Sequence, residues 1–113
     1  MAALVVLWDN PRMSDLGMPP SSKKAIGRRL ELTRESLGLT AGDFAKRAGI
    51  GKSAYSNYTS GERAPTLAQA IKLCDAYELT LDWIYRGDPS GLKYNLAEQI
   101  ILLRRKSNSS SRK

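Results

Sequence analysis

The sequence predicts an all-α protein of five short helices, and three features of the chain indicate this class. Apolar residues recur at the spacing of a helix face through most of residues 22–106. Two threonines, Thr40 and Thr66, are each followed three residues later by a side chain that completes a helix cap. Glycines come directly after the periodic segments, where helices commonly end. A sixth helix is predicted after the five, together with a possible short strand near the N-terminus.

The length and composition fit one small domain with a polyanionic partner. The chain has 113 residues, of which 42% are hydrophobic, enough for a compact core of short helices. Its formal net charge is +7, which favours binding to a polyanion. The charge is uneven, because residues 24–87 hold ten basic and seven acidic groups, whereas residues 104–113 hold five basic groups and no acid. Part of the basic character therefore belongs to the C-terminal tail.

The residue inventory argues against several kinds of chemistry. The chain has no histidine and one cysteine, Cys74, so a Cys/His zinc site, a Ser-His-Asp triad and an internal disulfide are excluded. We therefore predict no enzyme activity, no metal and no other cofactor. Cys74 falls on an apolar stripe, which is typical of a core thiol, and a free thiol fits a cytoplasmic location.

The first helix is preceded by an arm and linker over residues 1–21. Residues 2–8 are rich in β-branched and large apolar side chains and end at Asp9-Asn10-Pro11, a pattern typical of one short strand. A single strand is not stable alone, so it would pair with a second subunit or lie on an apolar surface, and disorder is the alternative. The segment is too short to span a bilayer, and it lacks the features of a signal peptide. No membrane association is therefore predicted for it.

The first helix is predicted over residues 22–37. Its inner face carries residues at helical spacing: Ile26, Leu30, Thr33 and Leu37. Gly38 then stops the helix. The other sides of the helix carry charged residues, interpreted as a solvated face with ion pairs three or four residues apart: Arg28, Arg29, Glu31, Arg34 and Glu35.

The second and third helices form the centre of the predicted fold. Thr40 and Asp43 cap the second helix, whose apolar stripe consists of Phe44, Ala45 and Ala48. Gly49 is predicted to take the left-handed conformation, so that the chain turns before a buried Ile50. The third helix turns Tyr55 and Tyr58 inward, and its polar residues lie on the other side: Lys52, Ser53, Ser56 and Asn57.

This segment, residues 40–58, resembles the helix-turn-helix of the Cro and lambda-repressor-like family, also called XRE-type regulators. The matching positions are a small residue where the two helices meet, a turn glycine four residues later and three buried residues: Ala45, Gly49, Ile50, Tyr55 and Tyr58. The resemblance extends over about residues 26–85. It implies a five-helix lambda-repressor-like domain over residues 22–87 that binds double-stranded DNA.

The resemblance also implies which side chains would contact DNA. The third helix would enter the major groove, and the expected base contacts are Lys52, Ser53, Ser56 and Asn57. Lysine suits guanine and asparagine suits adenine, although an ordinary solvent-exposed face is the alternative for these four residues. The expected phosphate contacts are Thr40, Arg34, Arg63 and Ser60.

Three departures from the family pattern keep other functions open. Ala41 replaces a phosphate-binding glutamine, and Glu62 replaces a residue that is often basic. Thr59 replaces a glutamate that commonly pairs with the arginine at the place of Arg34, so we expect Arg34 to be free to meet a phosphate. The leading interpretation is a sequence-specific transcriptional regulator that acts by occupying an operator, typically as a repressor. The alternatives are a protein-binding antiactivator and an antitoxin that binds both a toxin and its own operator.

The fourth and fifth helices complete the predicted bundle. Thr66 and Gln69 cap the fourth helix, which is expected to turn five residues inward: Leu67, Ala70, Ile71, Cys74 and Tyr77. Thr80 caps the fifth helix, which ends at Gly87. The fifth helix is expected to close the core with Leu81, Trp83 and Ile84.

The C-terminal helix is predicted within residues 88–106, with Asn95 and Glu98 as its cap pair, and residues 107–113 are predicted to be a disordered basic tail. Its apolar face is wide, with Ile101 and Leu102 beside the main stripe. This face could pack on its own domain, bind a partner subunit or lie on a membrane surface. We predict a homodimer, whose interface would be formed by a two-stranded ribbon and this helix through Leu4, Val5, Val6, Leu7, Trp8, Leu96, Ile100 and Leu103.

Overall fold

The computed structural model describes residues 19–111, with side chains described to residue 105. Its elements in order are α1 (Lys23–Ser36), α2 (Ala41–Arg47), α3 (Lys52–Ser60), α4 (Leu67–Tyr77), α5 (Asp82–Arg86), a 3-10 turn (Pro89–Gly91) and α6 (Tyr94–Ser111). α5 is wound as a π-helix. The described part is helical without strands, which confirms the all-α prediction. The predicted strand over residues 2–8 lies outside the described residues.

The threonine caps predicted for α2 and α4 are confirmed, and Ser22 caps α1 in the same way. The hydroxyl oxygens of Ser22, Thr40 and Thr66 each accept a hydrogen bond from the backbone N–H three residues later, at 3.1, 3.1 and 3.3 Å. The Thr80 hydroxyl accepts in the same way from the Trp83 N–H, at 3.0 Å. Each bond satisfies one of the amide groups that the first turn of a helix leaves unpaired. These local bonds fix where the helices begin.

The core lies between α1 and the remaining helices. On α1, Ile26, Leu30 and Thr33 are buried as predicted, but Leu37 is exposed. Leu37 is the C-cap of α1, and its backbone N–H closes the last turn. The helix ends before Leu37 can continue the inner face, so its predicted burial is wrong.

The inner face of α4 is only partly the predicted one, because Ala70, Cys74 and Tyr77 pack on the core as predicted. Ala70 and Leu73 are fully buried, whereas Leu67 and Ile71 are exposed. Both pairs have helical spacing, so the placement of the helix on its neighbours decides which pair is covered. The predicted burial of Leu67 and Ile71 is therefore wrong. Leu81, expected in the core before α5, is also exposed, whereas Trp83 and Ile84 are buried as predicted.

Arg29 is buried, although the sequence placed it on a solvated face. Its Nε and Nη2 atoms donate to the Ile84 carbonyl at 3.2 and 2.8 Å, and Nη2 also donates to the Pro20 carbonyl. Burial, with a further contribution from the charge of Arg104, lowers the pKa of the Arg29 guanidinium to about 10. The side chain thus links α1 to the carbonyl of Ile84 in α5.

A second buried polar contact fixes α5 on α1. The Trp83 Nε1–H donates to the Thr33 hydroxyl at 2.9 Å, and that hydroxyl donates to the Arg29 carbonyl at 2.7 Å. Both side chains are almost completely buried. Because a buried indole N–H needs an acceptor, Thr33 is a core residue with a hydrogen-bonding role.

α6 packs against its own domain. Ile100 is only 1% exposed and belongs to the core, and Leu96 and Ala97 pack partly against it. α6 lies along α1, so the prediction that Ile100 forms a subunit interface is wrong. Leu103 is half-buried. Of the three positions that the sequence allowed for this face, packing on the domain is the observed one.

The ends of α6 also differ from the prediction. The helix begins at Tyr94, and the Lys93 carbonyl accepts from the Ala97 N–H, so Asn95 lies inside the first turn and not at the cap. The backbone stays helical to Ser111, where a disordered tail was predicted from residue 107. No glycine or proline interrupts this segment, and an established helix can continue through serine and asparagine at less than about 0.7 kcal/mol for each residue. None of the helices within residues 19–111 is both long and apolar enough to cross a membrane.

Candidate nucleic-acid interface

α2 and α3 form two short helices joined by a tight turn over residues 48–51. Gly49 in this turn has a φ of +73°, a conformation that glycine adopts without strain. The Ile50 N–H donates to the Ala45 carbonyl at 2.9 Å, and both side chains are buried. The small residue, the turn glycine and the buried isoleucine therefore have the predicted roles.

Aromatic contacts fix α2 between α3 and α4. The Phe44 ring stacks on Tyr77, with centroids 4.5 Å apart and planes 5° from parallel, and it tilts against Tyr55 at 5.4 Å. The Tyr77 hydroxyl donates to the Phe44 carbonyl at 2.6 Å. These contacts add an orientation preference to the apolar burial. The angle between α2 and α3 is therefore set by the core.

The outer face of α3 is polar and open, as predicted. Tyr55 and Tyr58 are buried, whereas Lys52, Ser53 and Ser56 are exposed. Asn57 is half-buried. The four residues expected to contact bases thus lie on one short helix, three of them fully open to a ligand.

The backbone carbonyl of Asn57 organises the end of α3. It accepts hydrogen bonds from the Ser60 hydroxyl at 3.1 Å and from the backbone N–H groups of Glu62 and Arg63 at 3.0 and 3.2 Å. The Arg63 side chain is exposed, and its backbone is fixed relative to α3. The Ser60 hydroxyl proton is already used, so Ser60 would have to rotate to donate to a phosphate. Sequence reasoning missed this role of a carbonyl group.

Two other side chains predicted to contact phosphate differ in availability. Thr40 is exposed, and its hydroxyl acts as an acceptor in the cap, so its own proton remains available. Arg34 is engaged: Nη2 and Nε donate to the two carboxylate oxygens of Glu31 at 2.8 and 3.3 Å, and Nη1 donates to the Leu39 carbonyl at 2.8 Å. The prediction that Arg34 is free is therefore wrong.

Glu31 connects Arg34 to α3. The Tyr55 hydroxyl donates to the Glu31 carboxylate at 2.7 Å. Burial of Glu31 opposes ionisation, but the hydrogen bonds from Arg34 and Tyr55 prevail and lower the pKa of this carboxyl. The hydrogen bond with Glu31 in turn raises the pKa of the Arg34 guanidinium. An ionised Glu31 therefore joins α1 to the inner side of α3.

A family model described as helix-turn-helix matches residues 30–84. This part of the chain is therefore similar to the helix-turn-helix family. The resemblance to XRE-type regulators, drawn from the α2–α3 segment, is confirmed. The match runs from within α1 to within α5 and does not extend to α6.

Two curated relatives match this part of the chain. The cryptic phage CTXphi transcriptional repressor RstR of Vibrio cholerae serotype O1 is 35% identical over 57 residues, which are 50% of this chain and 51% of the repressor. The HTH-type transcriptional regulator ImmR of Bacillus subtilis is 30% identical over 64 residues, which are 57% of this chain and 50% of that regulator. The chain thus spans about half the length of these relatives. No solved structure matches it significantly.

The charges on the helix-turn-helix are mixed. Exposed cations stand on α2, on α3 and in the following loop at Lys46, Arg47, Lys52 and Arg63, and exposed acids stand at Asp43 and Glu62. The Lys72 ammonium on α4 donates to the Gly49 carbonyl at 3.4 Å, a contact that no sequence pattern indicated. Burial, followed by the charge of Asp75, raises the pKa of the half-buried Cys74 thiol, which disfavours a reactive thiolate.

Proposed function

We propose that the protein is a sequence-specific DNA-binding transcriptional regulator that represses by occupying its operator. The observation that carries the proposal is the polar outer face of α3, held on a helix-turn-helix frame by the buried Tyr55 and Tyr58. Two relatives named as a transcriptional repressor and a transcriptional regulator support it. We also propose that the protein is a homodimer, because one domain of this size reads a half-site. Its proposed location is the cytoplasm.

In this proposal, α2 crosses the phosphate backbone and α3 enters the major groove. Lys52 is directed at guanine O6 or N7 and Asn57 at adenine N6 and N7, with Ser53 and Ser56 beside them. Thr40 and Arg63 contact phosphates, and Ser60 joins them after rotation of its hydroxyl. Arg34 acts indirectly, because its guanidinium is bound to Glu31. Its role is to hold α1 and, through Glu31, α3.

The structure weakens the case for a protein-binding module. One of the three departures from the family pattern was Thr59 at the place of a glutamate partner for Arg34. Glu31 supplies that carboxylate from α1, so this departure is compensated inside the domain. Ala41 and Glu62 remain as departures at the expected phosphate-facing surface. The antiactivator and antitoxin interpretations are therefore not favoured over a transcriptional regulator that acts by binding DNA.

Base reading can be tested after selecting the preferred duplex from random DNA. Lys52→Ala and Asn57→Ala are each expected to weaken binding to the selected site by about 1–3 kcal/mol, roughly 5- to 150-fold. The reason is that each substitution removes a base contact and leaves the base edge unpaired. Equilibrium binding to the selected duplex and to a scrambled duplex measures the effect.

Arg63→Ala provides the matched control for this experiment. It is expected to weaken binding to the selected and the scrambled duplex by a similar factor. It should also reduce the slope of log affinity against log salt by about 0.9, the value for one phosphate contact. If Lys52→Ala and Asn57→Ala both bound the selected duplex as tightly as the wild type, the assignment of α3 as the reading helix would be contradicted.

A further inference from the structure

α6 has a second apolar face that its own domain leaves open. With Ile100 turned into the core, the opposite side exposes Tyr94, Ile101 and Leu102 by 77%, 39% and 51%. Glu98 and Arg105 are exposed on the same side. We call these five residues the outer face of α6. Residues 94, 98, 101 and 105 are spaced by four, three and four positions, so they follow one stripe of the helix.

This face is unusual for a solvated helix surface. Single exposed apolar residues are common, but Ile101 and Leu102 are adjacent and both exposed, with Glu98 before them and Arg105 after them. Grouped apolar side chains with charges at the edge are typical of an interaction surface. It lies outside residues 30–84, the part that matches the helix-turn-helix family. The domain therefore does not need this face for its own core.

The order of residues on the outer face is self-complementary. Suppose that two copies of α6 pair antiparallel about a twofold axis that passes between Ile101 and Leu102. The Ile101 and Leu102 side chains of one copy then meet those of the other copy at the axis. Glu98 precedes this centre by the same number of positions as Arg105 follows it. A glutamate of each copy therefore faces an arginine of the other, and the symmetry repeats the ion pair twice.

We propose that a second copy of this chain covers the outer face of α6 through this antiparallel helix pair. The inference rests on the homodimer of the proposed function and adds the surface that forms it. It replaces the α6 part of the interface predicted from the sequence, because Ile100 belongs to the core and the outer face lies on the opposite side of the same helix. The predicted ribbon over residues 4–8 lies outside the described residues.

The size of the outer face sets the expected strength of the dimer. From Tyr94 to Arg105 the helix extends about 16 Å, and a pair of such faces buries less than the roughly 800 Å² per partner of a stable interface. The free protein is therefore expected to dimerise weakly, in the micromolar range. Two adjacent half-sites on one duplex would raise the effective concentration and favour the dimer.

Charge reversal tests the arrangement without disturbing the core. Glu98→Arg places two like-charge contacts across the axis, and so does Arg105→Glu. Each variant alone is expected to raise the dimer dissociation constant by about tenfold or more. An equimolar mixture of the two variants restores opposite charges at both contacts, so it is expected to form a heterodimer with near wild-type affinity. Sedimentation equilibrium without DNA, up to about 100 µM protein, measures all four samples.

The outcomes separate this proposal from the DNA-binding proposal. The dimer proposal would be overturned if wild-type protein stayed monomeric at about 100 µM. That result is expected if residues 2–8 of the same chain cover the outer face of α6. A dimer whose dissociation constant is unchanged in both single variants, or a mixture that fails to recover, would also overturn it. Binding of one half-site duplex by the two variants reports base reading independently, because neither residue lies on α3.

Discussion

Replacing Ile100 with aspartate is expected to abolish cooperative folding of the domain. Ile100 is 1% exposed and packs in the core where α6 lies along α1. Removing a buried isoleucine side chain costs about 2–5 kcal/mol, and burying an unpaired carboxylate adds several more. Their sum approaches the ~5–15 kcal/mol by which a whole domain is stable. Far-UV circular dichroism during chemical denaturation measures the loss directly.

Leu102→Asp is the matched control for this experiment. It introduces the same charge two residues later on the same helix, at a side chain that is 51% exposed. At a protein concentration low enough to keep the chain monomeric, its stability is expected to stay within about 0.5 kcal/mol of the wild type, as for other surface substitutions. Ile100→Ala gives a graded second measurement, with an expected loss of about 2–5 kcal/mol. Equal stability of Ile100→Asp and Leu102→Asp would contradict the packing of α6 on its own domain.

The helix starts and the central turn could be predicted because their causes are local. A hydroxyl at Ser22 or Thr40 needs only the amide three residues later. The turn at Gly49 needs only a residue that adopts a positive φ. Such interactions depend on sequence spacing and little on the rest of the fold. They fix the start of α2 and the turn before α3, as predicted.

The inward faces of α4 and α6 could be predicted only in part, because each helix has two apolar stripes. On α4 Ala70 was expected inward and is buried, but the sequence offers Leu67 and Ile71 as readily as Leu73, and the structure buries Leu73. Which stripe is covered depends on where the neighbouring helices lie, and that information is spread along the chain. Ile100 was predicted at a subunit interface and lies in the core for the same reason, because the sequence does not show what covers an apolar stripe.

The pairing of Arg34 with Glu31 follows the spacing expected for the charged face of α1, although Arg34 itself was expected to be free. Glu31 lies three residues earlier on the same helix, a spacing at which opposite charges commonly pair, and the structure contains that pair. The family pattern directed attention to Thr59 instead. The link from Glu31 to Tyr55 spans 24 residues, and no pattern of spacing could have indicated it.

Gly27→Ala is expected to destabilise the protein, against the usual effect of this substitution inside a helix. Gly27 lies within α1, where alanine would ordinarily be favoured by about 1 kcal/mol. A Cβ atom at this position would stand 2.3 Å from the Tyr58 carbonyl oxygen and 3.1 Å from the Thr59 Cα. Both contacts are with backbone, so α1 and the end of α3 must move apart. Such overpacking costs about 1–3 kcal/mol or more, which exceeds the gain in propensity.

The same displacement should reach the DNA-binding face, because Tyr58 and Thr59 belong to α3. We expect Gly27→Ala to weaken binding to the selected duplex at temperatures where the variant is still folded. Gly42→Ala is the control, since a Cβ atom there meets nothing within 4 Å, and it should stabilise the protein by about 0.4–1 kcal/mol without changing affinity. Denaturant midpoints and duplex affinities of the two variants give the comparison. If Gly27→Ala proved as stable and as active as Gly42→Ala, then α1 would not approach the backbone of α3 closely, and the contact that sets the position of the reading helix would have to lie elsewhere.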